Sequence, residues 1–205
     1  MTGTSDRDWA GYYRKTGDRP PRGTLLAALD RFDAESAPGG SRLAVDLGCG
    51  GGRDVVEMLR RGWRVLAIDA EPAAIVHLRA RDDIPARALL ETAVARFEAA
   101  TWPPADLVNS SFALPLCPPG HFPDVWTRII DSLKPGGRFA GQLYGPRDSW
   151  YGRDGMSFVD RAQLDALLEG LEVEMLDEEE DESTTPRGEP KHWHIFHIVA
   201  RKPFA

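Results

Sequence analysis

The sequence contains little cysteine. Only Cys49 and Cys117 occur among 205 residues, and they lie far apart in the chain. They form no closely spaced pair of the kind that holds a structural metal, and a disulfide would be unusual in a cytoplasmic protein. We therefore expect neither a metal site nor a disulfide framework.

Long apolar runs are missing as well. No uninterrupted apolar stretch approaches the roughly 20 residues that cross a bilayer. The first eight residues, MTGTSDRD, are polar and lack the apolar core of a signal peptide. We expect a cytoplasmic protein without a membrane partner.

The sequence also has no block of basic residues. Lys and Arg number 25 against 32 Asp and Glu, so the formal net charge is −7. A protein that neutralises many phosphates normally presents a basic face. Nucleic acid is therefore not an expected partner, and the expected assembly is a monomer or homodimer.

The length suits a single domain over residues 1–205, and no repeat or low-complexity linker divides it. Residues 1–38 are predicted to form a helical cap, with a helix over Gly23–Ala34 whose apolar residues share one face. Residues 40–205 are predicted to form the core.

Strands and helices alternate along that core. The pattern predicts strands at Leu43–Leu47, Trp63–Ile68, Val94–Phe97, Asp106–Ser110, Arg138–Tyr144, Leu171–Leu176 and His194–Ala200, and helices at Arg53–Arg61, from Pro72, at Phe122–Leu133 and at Arg161–Leu168. Repeated β-α-β units indicate an α/β fold, a Rossmann-like doubly wound sheet with helices on both faces. The acidic run Asp177–Glu182 is predicted to be a solvated loop.

Glycines cluster where the first predicted strand ends, in the segment DLGCGGG over residues 46–52. Glycines at 48, 50 and 52 suit a tight turn that touches a ligand, at the sheet edge where ligands bind. The dinucleotide fingerprint would place a glycine where Arg53 stands. Moreover, the carboxylate of Asp46 suits the ammonium group of methionine better than a pyrophosphate.

Two further segments lie where the rest of a nucleoside would bind. Asp69 ends the second predicted strand, about 20 residues after Gly48, where a carboxylate accepts hydrogen bonds from ribose hydroxyls. A helix cap before Pro72 is the alternative for this aspartate. Residues 97–99, Phe-Glu-Ala, leave the third predicted strand at the position of an adenine, with surface placement as the alternative.

These segments resemble motifs of class I S-adenosylmethionine (SAM)-dependent methyltransferases. The glycine segment resembles their motif I, residues 67–69 (AID) their second-strand motif, and residues 133–138 (LKPGGR) the turn before their fifth strand. Asp54 and the closing segment KHWHIFH at 191–197 resemble the tellurite-resistance-type small-molecule methyltransferases. The resemblance covers roughly residues 40–205. It implies a seven-stranded sheet with an antiparallel last strand, SAM as cofactor and S-adenosylhomocysteine (SAH) as product.

The predicted cofactor contacts are Asp46, Gly48, Cys49, Gly50, Gly52, Asp69, Ala70, Phe97, Glu98, Ala99, Ser110, Arg19 and Tyr13. Arg19 is predicted to pair with the methionine carboxylate, with an ordinary surface arginine as the alternative. Tyr13 lies beside Trp9 and Tyr12 at helical spacing. These rings either fold over SAM as a lid and shield the sulfonium, or pack on the core as a helix face.

Methyl transfer is an in-line displacement that needs a general base only when the acceptor must lose a proton. An antiparallel last strand would bring His192 and His194, which share one face, to the cofactor edge as catalytic or acceptor-positioning groups. Strand-end histidines that are satisfied by backbone or a loop are the alternative, and His197 on the opposite face argues against a metal site. The predicted acceptor contacts are Trp9, Tyr12, Phe112, Gln142, Tyr144, Trp150 and Trp193.

The sequence thus predicts a SAM-dependent methyltransferase with a small-molecule acceptor. Alternatives are a SAM-binding enzyme with other chemistry, a non-catalytic SAM-binding regulator and an NAD-dependent oxidoreductase. The accepting atom, whether oxygen, nitrogen, sulfur or a heavier chalcogen, stays open.

Overall fold

The structure is a computed structural model that describes residues 19–35 and 41–204. The helices within these ranges are α1 (Gly23–Ala34), α2 (Arg53–Arg60), α3 (Pro72–Ala80), α4 (Phe122–Ser132) and α5 (Arg161–Leu167). The strands are β1 (Leu43–Leu47), β2 (Arg64–Asp69), β3 (Leu90–Val94), β4 (Ala105–Ser110), β5 (Leu133–Tyr144), β6 (Glu172–Thr184) and β7 (Pro190–Arg201).

The strands form one seven-stranded sheet in the order β3-β2-β1-β4-β5-β7-β6. Strands β1 to β5 pair in parallel, whereas β7 runs antiparallel to both β5 and β6. The predicted fold class, a doubly wound sheet with an antiparallel last strand, is confirmed. No helix in the described ranges is both long and apolar enough to span a bilayer.

Helices cover both faces of the sheet because the inner strands are apolar on both sides. Helices α1, α2 and α3 pack on one face, over Ala44, Leu107 and Val199. Helices α4 and α5 pack on the other, over residues that alternate with these, such as Val45 and Val108. Residues two apart on a strand share a face of the sheet. At the end of each strand, successive side chains therefore point to opposite faces.

The third strand was misplaced in the sequence prediction. It spans Leu90–Val94 rather than Val94–Phe97. As an edge strand it pairs only with β2 and carries no continuous apolar run. Phe97 follows it in a loop, half-buried against the core, which gives the loop the apolar character that suggested a strand.

The acidic run Asp177–Glu182 is strand, not the predicted loop, and lies within β6. Each of its residues pairs with one of β7, from Asp177 opposite His197 to Glu182 opposite His192. Cross-strand histidines compensate the carboxylates, as at His194 Nε2 and Glu178 Oε1, 2.9 Å apart. A charged edge strand is also a common protection against edge-to-edge pairing.

Candidate functional site

The glycine segment joins the end of β1 to the start of α2. The backbone N–H groups of Gly48 and Cys49 donate to the carbonyl of Ile68, at 2.8 and 3.1 Å. Gly48 and Gly52 have φ angles of 76° and 80°, in the left-handed region that favours glycine. A Cβ on Gly48 would also collide with Ala113, and one on Gly52 with Leu78. The sequence therefore needs glycine here for the fold itself.

A buried polar cluster lies below this loop. Asn109 Nδ2 donates to Asp46 Oδ1 at 2.7 Å and is 3.3 Å from Asp54 Oδ2. Asp46 Oδ2 and Asn109 Oδ1 are buried and have no hydrogen-bond partner among the described residues. Burial, reinforced by the nearby Asp54 carboxylate, raises the pKa of Asp46 well above its usual range. Within the described structure this cluster is short of hydrogen-bond donors, and its nearest positive charge, Arg53, lies 3.7 Å from Asp54 rather than beside Asp46.

The cluster opens into a small cavity of about 60 Å³, here called the loop cavity. Its lining is Arg22, Asp46, Gly48, Cys49, Gly50, Gly51, Gly52, Arg53, Asp54 and Ser111. Five of the predicted cofactor residues thus meet at one place: Asp46, Gly48, Cys49, Gly50 and Gly52. Ser111 was not predicted, because its role follows from the position of β4 beside β1 rather than from a motif.

Asp69 ends β2 next to the glycine loop and is 8% exposed. Its Oδ2 accepts from the N–H of Gly50 at 2.8 Å and its Oδ1 from that of Glu71 at 2.9 Å. The N-cap residue of α3 is Glu71, so Asp69 is not the helix cap considered as the alternative. Each carboxylate oxygen keeps a second lone pair for a ligand hydroxyl. Ala70, also predicted, follows it in the connection to α3.

The predicted adenine segment lies close to the glycine loop. The tip of the Phe97 ring is 3.6 Å from the position that a Cβ on Gly48 would occupy. Glu98 accepts from Arg96 Nε at 2.7 Å through Oε1, while its Oε2 is buried and has no hydrogen-bond partner within residues 19–35 and 41–204. Ala99 follows in the same loop. Ser110, by contrast, is fully buried and donates to the carbonyl of Leu47 at 3.0 Å, so it links β4 to β1.

Arg22 connects the loop cavity with a second, larger one. Its backbone N–H donates to Asp54 Oδ1 at 3.0 Å, and its guanidinium carbon lies 4.0 Å from the centre of the Phe112 ring. Its Nε is buried without a partner in the described structure. Arg19, the arginine predicted for this region, is exposed and lines only the larger cavity. Trp9, Tyr12 and Tyr13 lie outside the described residues.

The larger cavity, here called the aromatic cavity, has a volume of about 330 Å³. Four predicted acceptor residues line it: Phe112, Tyr144, Trp150 and Trp193. Their rings contact one another edge-on or tilted, with centroids 5.9 to 6.3 Å apart. The structure thus brings together residues that lie far apart in the sequence.

Gln142 supports the aromatic cavity from below. Its Oε1 accepts from the N–H of Phe112 at 3.0 Å, and its Nε2 donates to Thr24 Oγ1 at 2.9 Å. Phe112 has a φ angle of 56°, an uncommon conformation for a residue other than glycine. Because the surrounding contacts hold this strained residue between the two cavities, its ring position is defined.

Lys191 and Asp148 form a fully buried ion pair behind the aromatic wall. The ammonium of Lys191 lies 4.1 Å from the ring centre of Trp150 and 4.3 Å from that of Trp193. Asp148 also accepts from the N–H groups of Trp150 and His194. Burial lowers the pKa of Lys191. The pair fixes the segment after β5 against β7, a link that the sequence did not predict because the two residues are distant in the chain.

The three histidines of β7 point to different sides of the sheet. Register connects Asp46 with Asn109, Asn109 with Ala140, and Ala140 with Val199, so Val199 shares the face of the loop cavity. His197, two residues away, lies on this face. His192 and His194 lie on the opposite one.

The structure does not bring His192 and His194 to either cavity. His192 is hydrogen-bonded to Glu182 at 2.7 Å and Glu180 at 3.0 Å, and these carboxylates raise its pKa. His194 is buried between Glu178 and the backbone N–H of Arg147. Carboxylates of the neighbouring strand β6 thus hold both histidines, and only His194 also has a backbone partner in a loop, as the alternative expected. Their catalytic role stays a prediction without support from the geometry.

His197 instead belongs to a polar chain beside the aromatic cavity. Its Nε2 lies 2.9 Å from Glu179 Oε2 and its Nδ1 3.5 Å from Gln142 Nε2. Glu179 and Asp181, two residues apart on β6, both line the cavity. Sequence analysis missed these carboxylates because it placed them in a solvated loop. Among the described residues no group of three or more His, Cys, Asp or Glu suits a metal ion.

Residues 44–137 match a family described as "Methyltransferase domain". The comparison with curated proteins gives no match. Among solved structures, TehB from Haemophilus influenzae has a TM-score of 0.71 at 17% identity, over 93% of this chain. The chain spans only 65% of the length of that protein.

Two further solved structures show the same fold. A SAM-dependent methyltransferase from Methanosarcina mazei has a TM-score of 0.61 at 18% identity, over 86% of this chain and 97% of its own. Phosphoethanolamine N-methyltransferase 2 from Haemonchus contortus, solved with phosphomonomethylethanolamine and SAH, has a TM-score of 0.67 at 17% identity, over 97% of this chain and 58% of its own. At these identities the likeness shows the fold.

Residues 44–137 therefore match a methyltransferase domain, within a Rossmann-like fold. The family match and these structures support the resemblance to SAM-dependent methyltransferases, and TehB is one of the structures that share the fold. The same findings support SAM as the cofactor.

Proposed function

We propose that this protein transfers a methyl group from SAM to a small-molecule acceptor. The observation that carries the proposal is the unpaired Oδ2 of Asp46, a buried carboxylate oxygen in the wall of the loop cavity. A buried acceptor without a partner costs about 1–3 kcal/mol. The methionine ammonium would supply the missing donor and a positive charge directly beside Asp46.

The remaining groups fit the other parts of the same cofactor. The unpaired Nε of Arg22 is a donor at the loop cavity, and its guanidinium suits the methionine carboxylate better than the exposed Arg19 does. Asp69 would accept from the ribose hydroxyls, and the unpaired Oε2 of Glu98 from the adenine amine. Backbone of the glycine loop would contact the ligand between them.

The aromatic cavity begins where the loop cavity ends, since Arg22 lines both. When bound, SAM supplies an electrophilic methyl group on a sulfonium. The residues of this chain would place an acceptor in line with that methyl group and exclude water, which accounts for much of the acceleration in such displacements. A volume of about 330 Å³ lies at the lower end of the range for small-molecule sites. We propose that nucleic acid is not a partner. We also propose that the protein is a monomer or a homodimer.

A turnover assay tests the proposal. The purified protein would be incubated with SAM and pools of small metabolites, with SAH measured as the common product and mass spectrometry used to find the methylated acceptor. We expect acceptor-dependent SAH, and its loss in Asp46→Asn. Tight SAM binding without acceptor-dependent SAH from any pool would instead indicate a SAM-binding regulator.

A further inference from the structure

The walls of the aromatic cavity combine flat rings with a carboxylate held by a histidine. Phe112, Trp150 and Trp193 supply the rings, and Glu179 is hydrogen-bonded to His197. From this combination we propose that the acceptor is a planar aromatic molecule bearing an ionisable O–H or N–H, and that Glu179 accepts this proton. The inference rests on the proposed function and names its substrate class.

The rings are arranged to receive a flat partner. Trp193 lies 5.9 Å from both Trp150 and Tyr144 and 6.3 Å from Phe112, measured between ring centres. The Lys191–Asp148 pair behind Trp150 and Trp193 fixes these two rings. Aromatic pairs prefer offset or edge-on contacts at such separations. An inorganic oxyanion would fill only a small part of the 330 Å³ and would present no ring face to these side chains.

Glu179 is the carboxylate of this wall that has a defined partner. Register places it opposite Ile195, so its side chain lies on the cavity side of the sheet, where His197 also lies. His197 Nε2 holds Glu179 Oε2 at 2.9 Å, and the His197 ring is 6.2 Å from that of Phe112. Phe112 follows Ser111 of the loop cavity. Glu179 therefore lines the same cavity as Phe112, the residue that directly follows the loop cavity in sequence.

These groups define one balanced step. The proton of the acceptor O–H or N–H passes to a carboxylate oxygen of Glu179, and the freed electron pair forms the new bond to the methyl carbon. The sulfur retains the electrons of the broken sulfur–carbon bond and becomes the neutral thioether of SAH. His197 is a positioning residue that orients Glu179 through its hydrogen bond.

Binding of matched probes to the SAH complex tests, without requiring turnover, whether the acceptor contains an aromatic ring. The probes are p-cresol, p-toluidine, 4-methylanisole, 4-methylcyclohexanol and selenite, measured by calorimetry. We expect p-cresol or p-toluidine to bind roughly tenfold more tightly than 4-methylcyclohexanol. Trp193→Leu should remove most of that preference, while Tyr151→Leu, whose ring is 62% exposed and does not line the cavity, should keep it. Equal binding of the ring and ringless probes, or tighter binding of selenite, overturns the acceptor class.

The same probes test Glu179. Wild-type protein should prefer p-cresol over its methyl ether, 4-methylanisole, by about tenfold, because only p-cresol donates to the carboxylate. Glu179→Ala should lose this preference, whereas Glu180→Ala, the neighbouring residue on the other face, should retain it. His197→Gln, which still donates to Glu179, should preserve the preference that His197→Leu reduces. An unchanged preference in Glu179→Ala overturns its role, and failure of wild-type protein to bind SAH would overturn the proposed function instead.

Discussion

Asn109 donates its Nδ2 hydrogen to Oδ1 of Asp46 at 2.7 Å and leaves Oδ2 of that carboxylate buried without a partner. The arrangement orients Asp46 but does not satisfy it. A buried acceptor that lacks one hydrogen-bond donor destabilises the ligand-free protein. A ligand that brings the missing donor removes this cost, and its binding free energy becomes more favourable. Stability and cofactor affinity are therefore opposed at this residue.

Asp46→Asn should stabilise the ligand-free protein near neutral pH. Burial raises the pKa of Asp46 above its value in the unfolded chain, so the native state binds more protons between the two values. The unfolding free energy of wild-type protein consequently falls as pH rises through that window. The advantage of the variant should be absent below about pH 4, the unperturbed aspartate range, and reach about 1–3 kcal/mol at pH 7. Urea unfolding at several pH values measures it, with the exposed Asp165→Asn as control, and a variant less stable than wild type at pH 7 would contradict the account.

Arg22→Gln should weaken binding of SAM and SAH but not of their decarboxylated analogues. The lost interaction is a charge-assisted hydrogen bond, and we expect a loss of about 1.5–3 kcal/mol. Calorimetry compares each ligand with its decarboxylated analogue. The difference separates the contribution of the methionine carboxylate from general damage to the cavity. Arg19→Gln is the matched control and should bind all ligands as wild type does. Equal losses for ligands with and without the carboxylate would place Arg22 elsewhere, for instance against the acceptor.

Asp69→Ala should lose at least 1–3 kcal/mol of SAH binding, roughly the value of its missing hydrogen bonds. Part of this loss is indirect, because Asp69 also accepts from the N–H of Gly50 and so shapes the glycine loop. An SAH analogue that lacks both ribose hydroxyls separates the two effects, since it should be affected only by the change in the loop. The ribose assignment fails if both ligands lose the same affinity.

Gly48→Ala should destabilise the fold more than Gly62→Ala. The two glycines have similar φ angles, 76° and 78°, so each alanine carries the left-handed penalty of about 1–2 kcal/mol. A Cβ on Gly48 meets Ala113, whereas one on Gly62 has no atom within 4 Å. Overpacking should add about 1–3 kcal/mol at Gly48 alone. Chemical denaturation of both variants measures the difference, and equal stabilities would show that the loop relaxes around the extra methyl group.

Apolar periodicity and glycine spacing, which are local features of the sequence, predicted the first helix and the glycine loop. The helix over Gly23–Ala34 was predicted with its observed bounds, because its apolar face is periodic. The glycine loop was recognised because glycine spacing and the strand before it determine the turn. The edge strand β3 was misplaced and the edge strand β6 was ended too early, at Leu176, since an edge strand lacks the continuous apolar run of a buried one.

The candidate site depended on contacts that sequence does not encode locally. Alternation along β7 correctly separates His197 from His192 and His194, but it does not say which face lies toward the glycine loop. That follows from the register of four strands, from Asp46 to Val199. Similarly, Arg22 was passed over in favour of Arg19, because only the fold shows which arginine reaches both cavities.

Calorimetric titration with SAH and NAD⁺ tests the central claim most directly, namely that the loop cavity binds the methionine end of SAM through Asp46. We predict one SAH per chain, NAD⁺ binding weaker by roughly a hundredfold or more, and a loss of about 1.5–3 kcal/mol for SAH in Asp46→Asn. NAD⁺ binding as tight as that of SAH, or an Asp46→Asn variant that binds SAH like the wild type, would contradict it.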